Sequence, residues 1–167
     1  MSDSLVQVRV ENLRRYFGEV KAVDGLDFSF SGGEVHGFIG PNGAGKTTTI
    51  RMIMSILYPH AGNITVLGTS APETVKDRLG YLPETVPLYP EMSVEGYLEF
   101  VGRIRRIDNV WDRIDSVLQV VGLLDRAESF ISSLSKGMRQ RVGLAQAMIH
   151  DPEILIQNRI AIVWARY

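Results

Sequence analysis

Apolar and polar residues alternate along Leu5-Val6-Gln7-Val8-Arg9-Val10, the period-two pattern of a strand with one buried face. The alternation resumes in Leu26-Asp27-Phe28-Ser29-Phe30, and Ser31-Gly32-Gly33 turns the chain into Glu34-Val35-His36-Gly37-Phe38-Ile39, which predicts a short buried strand. The period then becomes helical: Ile50, Ile53, Met54 and Leu57 predict a helix over Thr47 to Tyr58. Ala61 to Gly68 reads as a turn and a strand, and Arg78 to Pro83 as a short core strand ended by proline. From Ser93 onward the spacing is helical again. Val94, Tyr97, Leu98 and Val101 follow Ser93 as N-cap; Ile114, Val117, Leu118 and Val121 end at Gly122; a third helix spans Lys136 to Ile149. Glu153-Ile154-Leu155-Ile156 predicts another buried strand. Two antiparallel strands before a glycine-rich loop and one after it predict a small β layer beside an α/β core with a mainly parallel sheet. A mostly helical insert occupies approximately Thr85 to Ser133.

Composition narrows the class of molecule. A length of 167 residues suffices for one domain with a sizeable core, and 45% hydrophobic with 22% charged residues is ordinary for a globular protein. A net charge of −1 supports neither nucleic-acid nor membrane-surface attraction, so no nucleic-acid partner is expected. With no cysteine, disulfides and thiolate metal sites are excluded, which suits a reducing compartment. Neither a signal peptide nor an apolar run of membrane-spanning length is visible, so any membrane role is expected through a partner.

The chemistry concentrates in Gly40-Pro41-Asn42-Gly43-Ala44-Gly45-Lys46-Thr47-Thr48, which fits Gly-x4-Gly-Lys-Thr between a predicted strand and a predicted helix. Glycines let backbone N–H groups converge on phosphate oxygens where a Cβ would obstruct them. The helix that follows adds its positive dipole end and unpaired amides. Lys46 supplies a mobile cation, and the Thr47 hydroxyl is suited to Mg²⁺. Nucleotide binding is the function this segment points to.

A second motif selects among P-loop proteins. Leu134-Ser135-Lys136-Gly137-Met138-Arg139-Gln140-Arg141 resembles the Leu-Ser-Gly-Gly-Gln signature of the ATP-binding cassette (ABC) family, with Lys136 for the first glycine and Met138 for the glutamine. Asp151-Pro152-Glu153 stands where that family leads into its Walker B strand, and the likeness runs from Leu5 to about Ile156. It implies an ATPase subunit of a transporter, of bacterial export type, that binds ATP and Mg²⁺. It also implies a head-to-tail partnership with a second ATPase subunit, in which Ser135, Lys136, Gly137 and Met138 face the other subunit's nucleotide. Separate membrane-spanning permeases would hold the protein at the cytoplasmic face of the membrane. Within the same resemblance Phe17, beside Gly18, matches the aromatic that stacks on adenine, with Tyr16 as the other possibility. Glu84 in Tyr81-Leu82-Pro83-Glu84 takes the place of the Q-loop glutamine, as a Mg²⁺ or water ligand.

Past Ile156 the likeness stops. The family pattern would place Asp and Glu where Asn158 and Arg159 stand, and Gln157 to Tyr167 shows neither a D-loop nor a switch histidine. His36, His60 and His150 match no switch position and are expected to be packing or surface residues. Two accounts are compatible with residues 157–167: an evolved inactive variant, or an aberrant tail from a shifted reading frame, which the abruptness of the change favours. Either way the expectation is an incomplete nucleotide-binding domain that binds ATP with little turnover, and whose sheet has an open edge. A non-transport ABC ATPase is a further alternative.

Overall fold

Alternation over Val6–Val10 and Leu26–Phe30 explains the middle of the first two strands, β1 (Val6–Phe17) and β2 (Val20–Ser31), which pair antiparallel in the computed structural model. The described residues are 6–33, 35–158 and 162–165; the predicted positions Leu5 and Glu34 lie outside them. Val8 and Val10 are buried on one face of β1, and the next buried residue is Leu13, a step of three. The extra residue is absorbed at Asn12, whose φ of 46° coincides with a register shift and whose N–H donates to Asp27 Oδ1 at 2.7 Å.

After β3 (Val35–Gly37) come the loop and α1 (Lys46–Ile53), then β4 (Ala61–Val66), which pairs antiparallel with β1 to give the sheet order β2-β1-β4. A 3-10 helix (Pro72–Arg78) leads into β5 (Leu79–Leu82). Three helices follow, α2 (Val94–Ile104), α3 (Val110–Val121) and α4 (Lys136–Met148), then β6 (Ile154–Gln157) and β7 (Ile162–Ala165). The second sheet has the order β3-β7-β6-β5. The chain divides into two units, Met1–Tyr81 with Glu153–Tyr167, and Leu82–Pro152. The second unit takes in α4 as well as the stretch expected to be helical.

Three expectations are corrected. First, β3 has three residues and lies at the sheet edge; Val35 is 65% exposed and Ile39 is 99% exposed, so the run through Ile39 is not a buried strand. Secondly, α1 stops at Ile53 and not at Tyr58. Ser55 turns left-handed (φ 50°), its N–H bonds to the Met52 carbonyl, and the Ile56 N–H reaches back to the Arg51 carbonyl at 2.8 Å, a Schellman closure. Thirdly, β7 runs antiparallel to both β3 and β6, pairing Val35 with Trp164 and Ile156 with Val163, so the sheet is not mainly parallel at this place and β6 is not an open edge. The pairing is backbone to backbone, which an apolar, β-branched segment such as Ile162-Val163 favours.

Each unit has its own core. Val8, Val10, Leu13, Ile50, Ile53, Val66, Ile154 and Ile156 belong to the first, Leu98, Ile114, Leu118, Val142 and Ile149 to the second. Burying one such side chain is worth about 1.5–3 kcal/mol relative to exposure. In the second unit α3 and α4 close each other's ends. Arg113 of α3 donates to the Ile149 and Met148 carbonyls at the end of α4, and Arg141 of α4 donates to the Val121 and Gly122 carbonyls at the end of α3. Both guanidinium groups thus satisfy orphan carbonyls at the negative end of a helix.

Candidate functional site

The glycine loop is an exposed bridge from the edge strand to α1. Gly45 is the N-cap of α1 (φ 80°) and offers no side-chain acceptor, and the first turn holds no acidic residue, so the opening amides of the helix have no side-chain cap. Gly45 is required twice over. Its φ disfavours other residues, and a Cβ there would overlap the carbonyl oxygen of Ala22. Ala22 is the extra residue at the register shift that pairs Arg15 with Val23 and Tyr16 with Lys21. The loop therefore abuts the bulge beside the β1–β2 hairpin.

Lys46 turns back over the loop. Its Nζ donates to the carbonyls of Gly40 (2.6 Å) and Pro41 (2.7 Å), and the Ala44 N–H closes the turn onto Pro41 O at 3.2 Å. Pro41, Asn42, Gly43 and Ala44 are exposed, while Gly45, Lys46, Thr47 and Thr48 are half-buried. An ammonium and an uncapped helix start are both donors, and an anion with several oxygens is what they can bind.

Thr47 meets Asn158, one of the two residues that stand where the resemblance expects Walker B carboxylates. Its hydroxyl donates to Asn158 Oδ1 at 3.3 Å, across 111 residues of sequence. Arg159 lies outside the described residues. Among the described residues no cluster of three or more His, Cys, Asp or Glu is suited to a metal. Thr47 Oγ1 and Asn158 Oδ1 are neutral oxygens, acceptable to a hard cation that brings phosphate ligands with it, but they contribute no charge of their own. Glu84 is exposed in the bend after β5 and belongs to the second unit.

The two candidate aromatics part company. The Tyr16 hydroxyl donates to Asp24 Oδ1 at 2.6 Å, a bond that, ahead of that from Lys21, holds the Asp24 carboxyl below its ordinary range. The ring of Tyr16 lies 5.9 Å from that of His60. Phe17, at the hairpin end, is 48% exposed. His60 is a packing residue: its Nδ1 accepts the Tyr16 N–H at 3.2 Å. The ring of His36 packs 4.9 Å from that of Phe30.

In the second unit Ser135 is the N-cap of α4, its Oγ accepting the Met138 N–H at 3.2 Å, and Arg139 donates to the Leu134 carbonyl. Ser135, Lys136 and Gly137 are exposed and Met138 half-buried; a Cβ at Gly137 would meet no atom. The space in front of this helix start is open within its own unit.

Comparison with known proteins follows the same residues. A family profile described as "ABC transporter" matches residues 23–157. The chain is 37% identical to the linearmycin resistance ATP-binding protein LnrL of Bacillus subtilis (strain 168) over 156 residues, which are 90% of this chain and 50% of that protein. It is 35% identical to the bacitracin transport ATP-binding protein BcrA of Bacillus licheniformis, over 89% of this chain and 49% of that one. The chain thus spans about half the length of the curated relatives it matches. Among solved structures, the ATP-binding subunit of an ABC transporter superposes with a TM-score of 0.74 at 28% identity, over 90% of this chain and 65% of that one. The ADP form of MJ1267, an ATP-binding cassette, gives 0.79 at 24% identity, a likeness of fold, over 91% and 68% of the two chains.

Proposed function

Because this chain belongs to the ABC transporter family, we propose that it forms the nucleotide-binding part of an ATPase subunit of an export transporter, with Gly40 to Thr48 as its phosphate cradle. The observation that carries the reading is the Lys46 ammonium on the Gly40 and Pro41 carbonyls beside the uncapped start of α1. Both bonds join the ammonium to a neutral acceptor, and a phosphate oxygen would replace that acceptor with one of opposite charge. The loop amides and Lys46 would hold the β- and γ-phosphates and balance the charge that develops on a transferring phosphoryl group. Mg²⁺, arriving with the nucleotide, would supply charge neutralisation, and Thr47 and Asn158 are the residues of the first unit suited to hold it.

Ser135, Lys136, Gly137 and Met138 are proposed to address the nucleotide of a second ATPase subunit placed head to tail. Permease subunits, in this reading, supply the membrane passage and keep the protein at the cytoplasmic face; among the described residues no helix is long and apolar enough to cross a membrane. The names of the relatives, which speak of antibiotic resistance and transport, favour export. A binding-only version of the same function is favoured by one observation, the neutral Asn158 on Thr47.

The test is a fluorescent-ATP titration of the chain and of Lys46→Ala at one salt concentration. Lys46→Ala is expected to lose most of the affinity; equal dissociation constants overturn the phosphate-cradle assignment.

A further inference from the structure

Arg15 has no part in the phosphate cradle, yet its side chain is held in an unusual way. Its NH1 donates to the Tyr58 carbonyl at 2.9 Å and approaches His60 Nε2 at 3.3 Å. His60 Nδ1 already accepts the Tyr16 N–H, and Tyr58 O is the acceptor that fixes the guanidinium. The Nε of Arg15 is buried and makes no hydrogen bond. A buried donor without a partner costs about 1–3 kcal/mol, so this orientation is not the one that hydrogen bonding alone would select. What the orientation achieves is a stack: the guanidinium carbon lies 4.9 Å from the centroid of the Phe17 ring. The two residues are two apart on β1 and project to the same side of the strand. The Phe17 ring, 48% exposed at the hairpin end, thus carries a planar cation over it.

We propose that Arg15 is a positioning residue for base recognition, holding Phe17 as a fixed platform on which the nucleobase stacks. This rests on the reading of Phe17 as the adenine-stacking residue. The platform sits on the hairpin whose bulged residue, Ala22, abuts the Gly45 of the loop, so base and phosphate recognition meet on one element. The prearranged ring spares the base the entropy of ordering a mobile aromatic.

The experiment compares ATP with inorganic tripolyphosphate, which has no base, in competition against a fluorescent nucleotide. Arg15→Ala is expected to weaken ATP about two- to fivefold, in line with one exposed cation–π contact, and to leave tripolyphosphate unchanged. Arg15→Lys keeps the charge and a donor for Tyr58 O but loses the plane; it is expected to keep the thermal midpoint and still weaken ATP selectively. In a Phe17→Ala background Arg15→Ala should have no further effect, since the two act through one ring. Equal weakening of ATP and tripolyphosphate, or additive losses in the double variant, overturns the role of Arg15. If Phe17→Ala itself leaves the ratio of the two ligands unchanged, the platform reading falls, and the Arg15 proposal with it.

Discussion

A single amide marks the difference between the proposed nucleotide site and one with a carboxylate. Asn158 faces the Thr47 hydroxyl at 3.3 Å through Oδ1, a neutral acceptor. ATP affinity is therefore expected to change little between Mg²⁺ and chelator, because Thr47 and Asn158 add no negative charge to the metal's surroundings. Asn158→Asp should raise that Mg²⁺ dependence about tenfold or more, the scale of one charge pair in a partly exposed site. Titrations with and without EDTA read this directly, and an unchanged Mg²⁺ dependence in the variant would count against Asn158 as the metal-side residue. The motif residues were legible because their chemistry is local: a glycine loop and its lysine lie within nine positions. Arg15 was not, because its partners Tyr58 and His60 are 43 and 45 residues away, and nothing in the pattern around Arg14-Arg15 announces them.

The helices teach the same lesson about range. Ser93, Ser135 and Gly122 are signals next to the ends they mark, and the structure uses all three. The ends of α1 and α2 escaped because they make left-handed turns without glycine, at Ser55 (φ 50°) and Arg106 (φ 57°). Arg106 is exposed, and the turn it occupies sends the Ile107 N–H to the Gly102 carbonyl at 3.0 Å. Arg106→Gly is expected to stabilise the chain by up to about 1 kcal/mol by relieving the left-handed strain. The effect is read as a rise in thermal midpoint; a fall would show that the arginine side chain matters more than its backbone. Within the helical unit Tyr97 gives a pH signature. It is buried, its hydroxyl donates to Gln146 Oε1 at 2.8 Å, and burial pushes its pKa to about 12, with Tyr89 adding to the shift. The unfolded chain loses this proton near pH 10 and the folded one near 12, so stability is full below pH 10 and falls between pH 10 and 12. The loss should be roughly 2–3 kcal/mol, and alkaline melts of Tyr97→Phe should lack most of it.

At the scale of the molecule the units differ in how they are closed. The second is one continuous stretch with helix caps exchanged between Arg113 and Arg141; the first is assembled from two separated stretches. It also exposes Val20, Val35, Ile39, Ile56 and Tyr58, with a net charge of only −1 to keep copies apart. Concentration-dependent light scattering is the expected behaviour, and Ile39→Ser should reduce it while moving stability by less than about 0.5 kcal/mol, because Ile39 is already in solvent. Turnover is expected to stay at the level of the Lys46→Ala control in a phosphate-release assay. Neither Asn158 nor Arg159 provides the carboxylate that a general base requires, a contribution of about 10²–10⁴. Release above that control and abolished by Lys46→Ala would overturn this.

The pairing of Val35 with Trp164 carries a consequence in time. A ribosome adding about 5–20 residues per second needs some ten seconds to travel from one of these partners to the other. Throughout that interval the strand that launches the phosphate loop has no neighbour on its β7 side, whereas residues 82–152, contiguous in sequence, can collapse as soon as they emerge. The nascent protein therefore finishes its helical unit first and the unit that carries the glycine loop last. During synthesis, it is the latter that stands in need of protection.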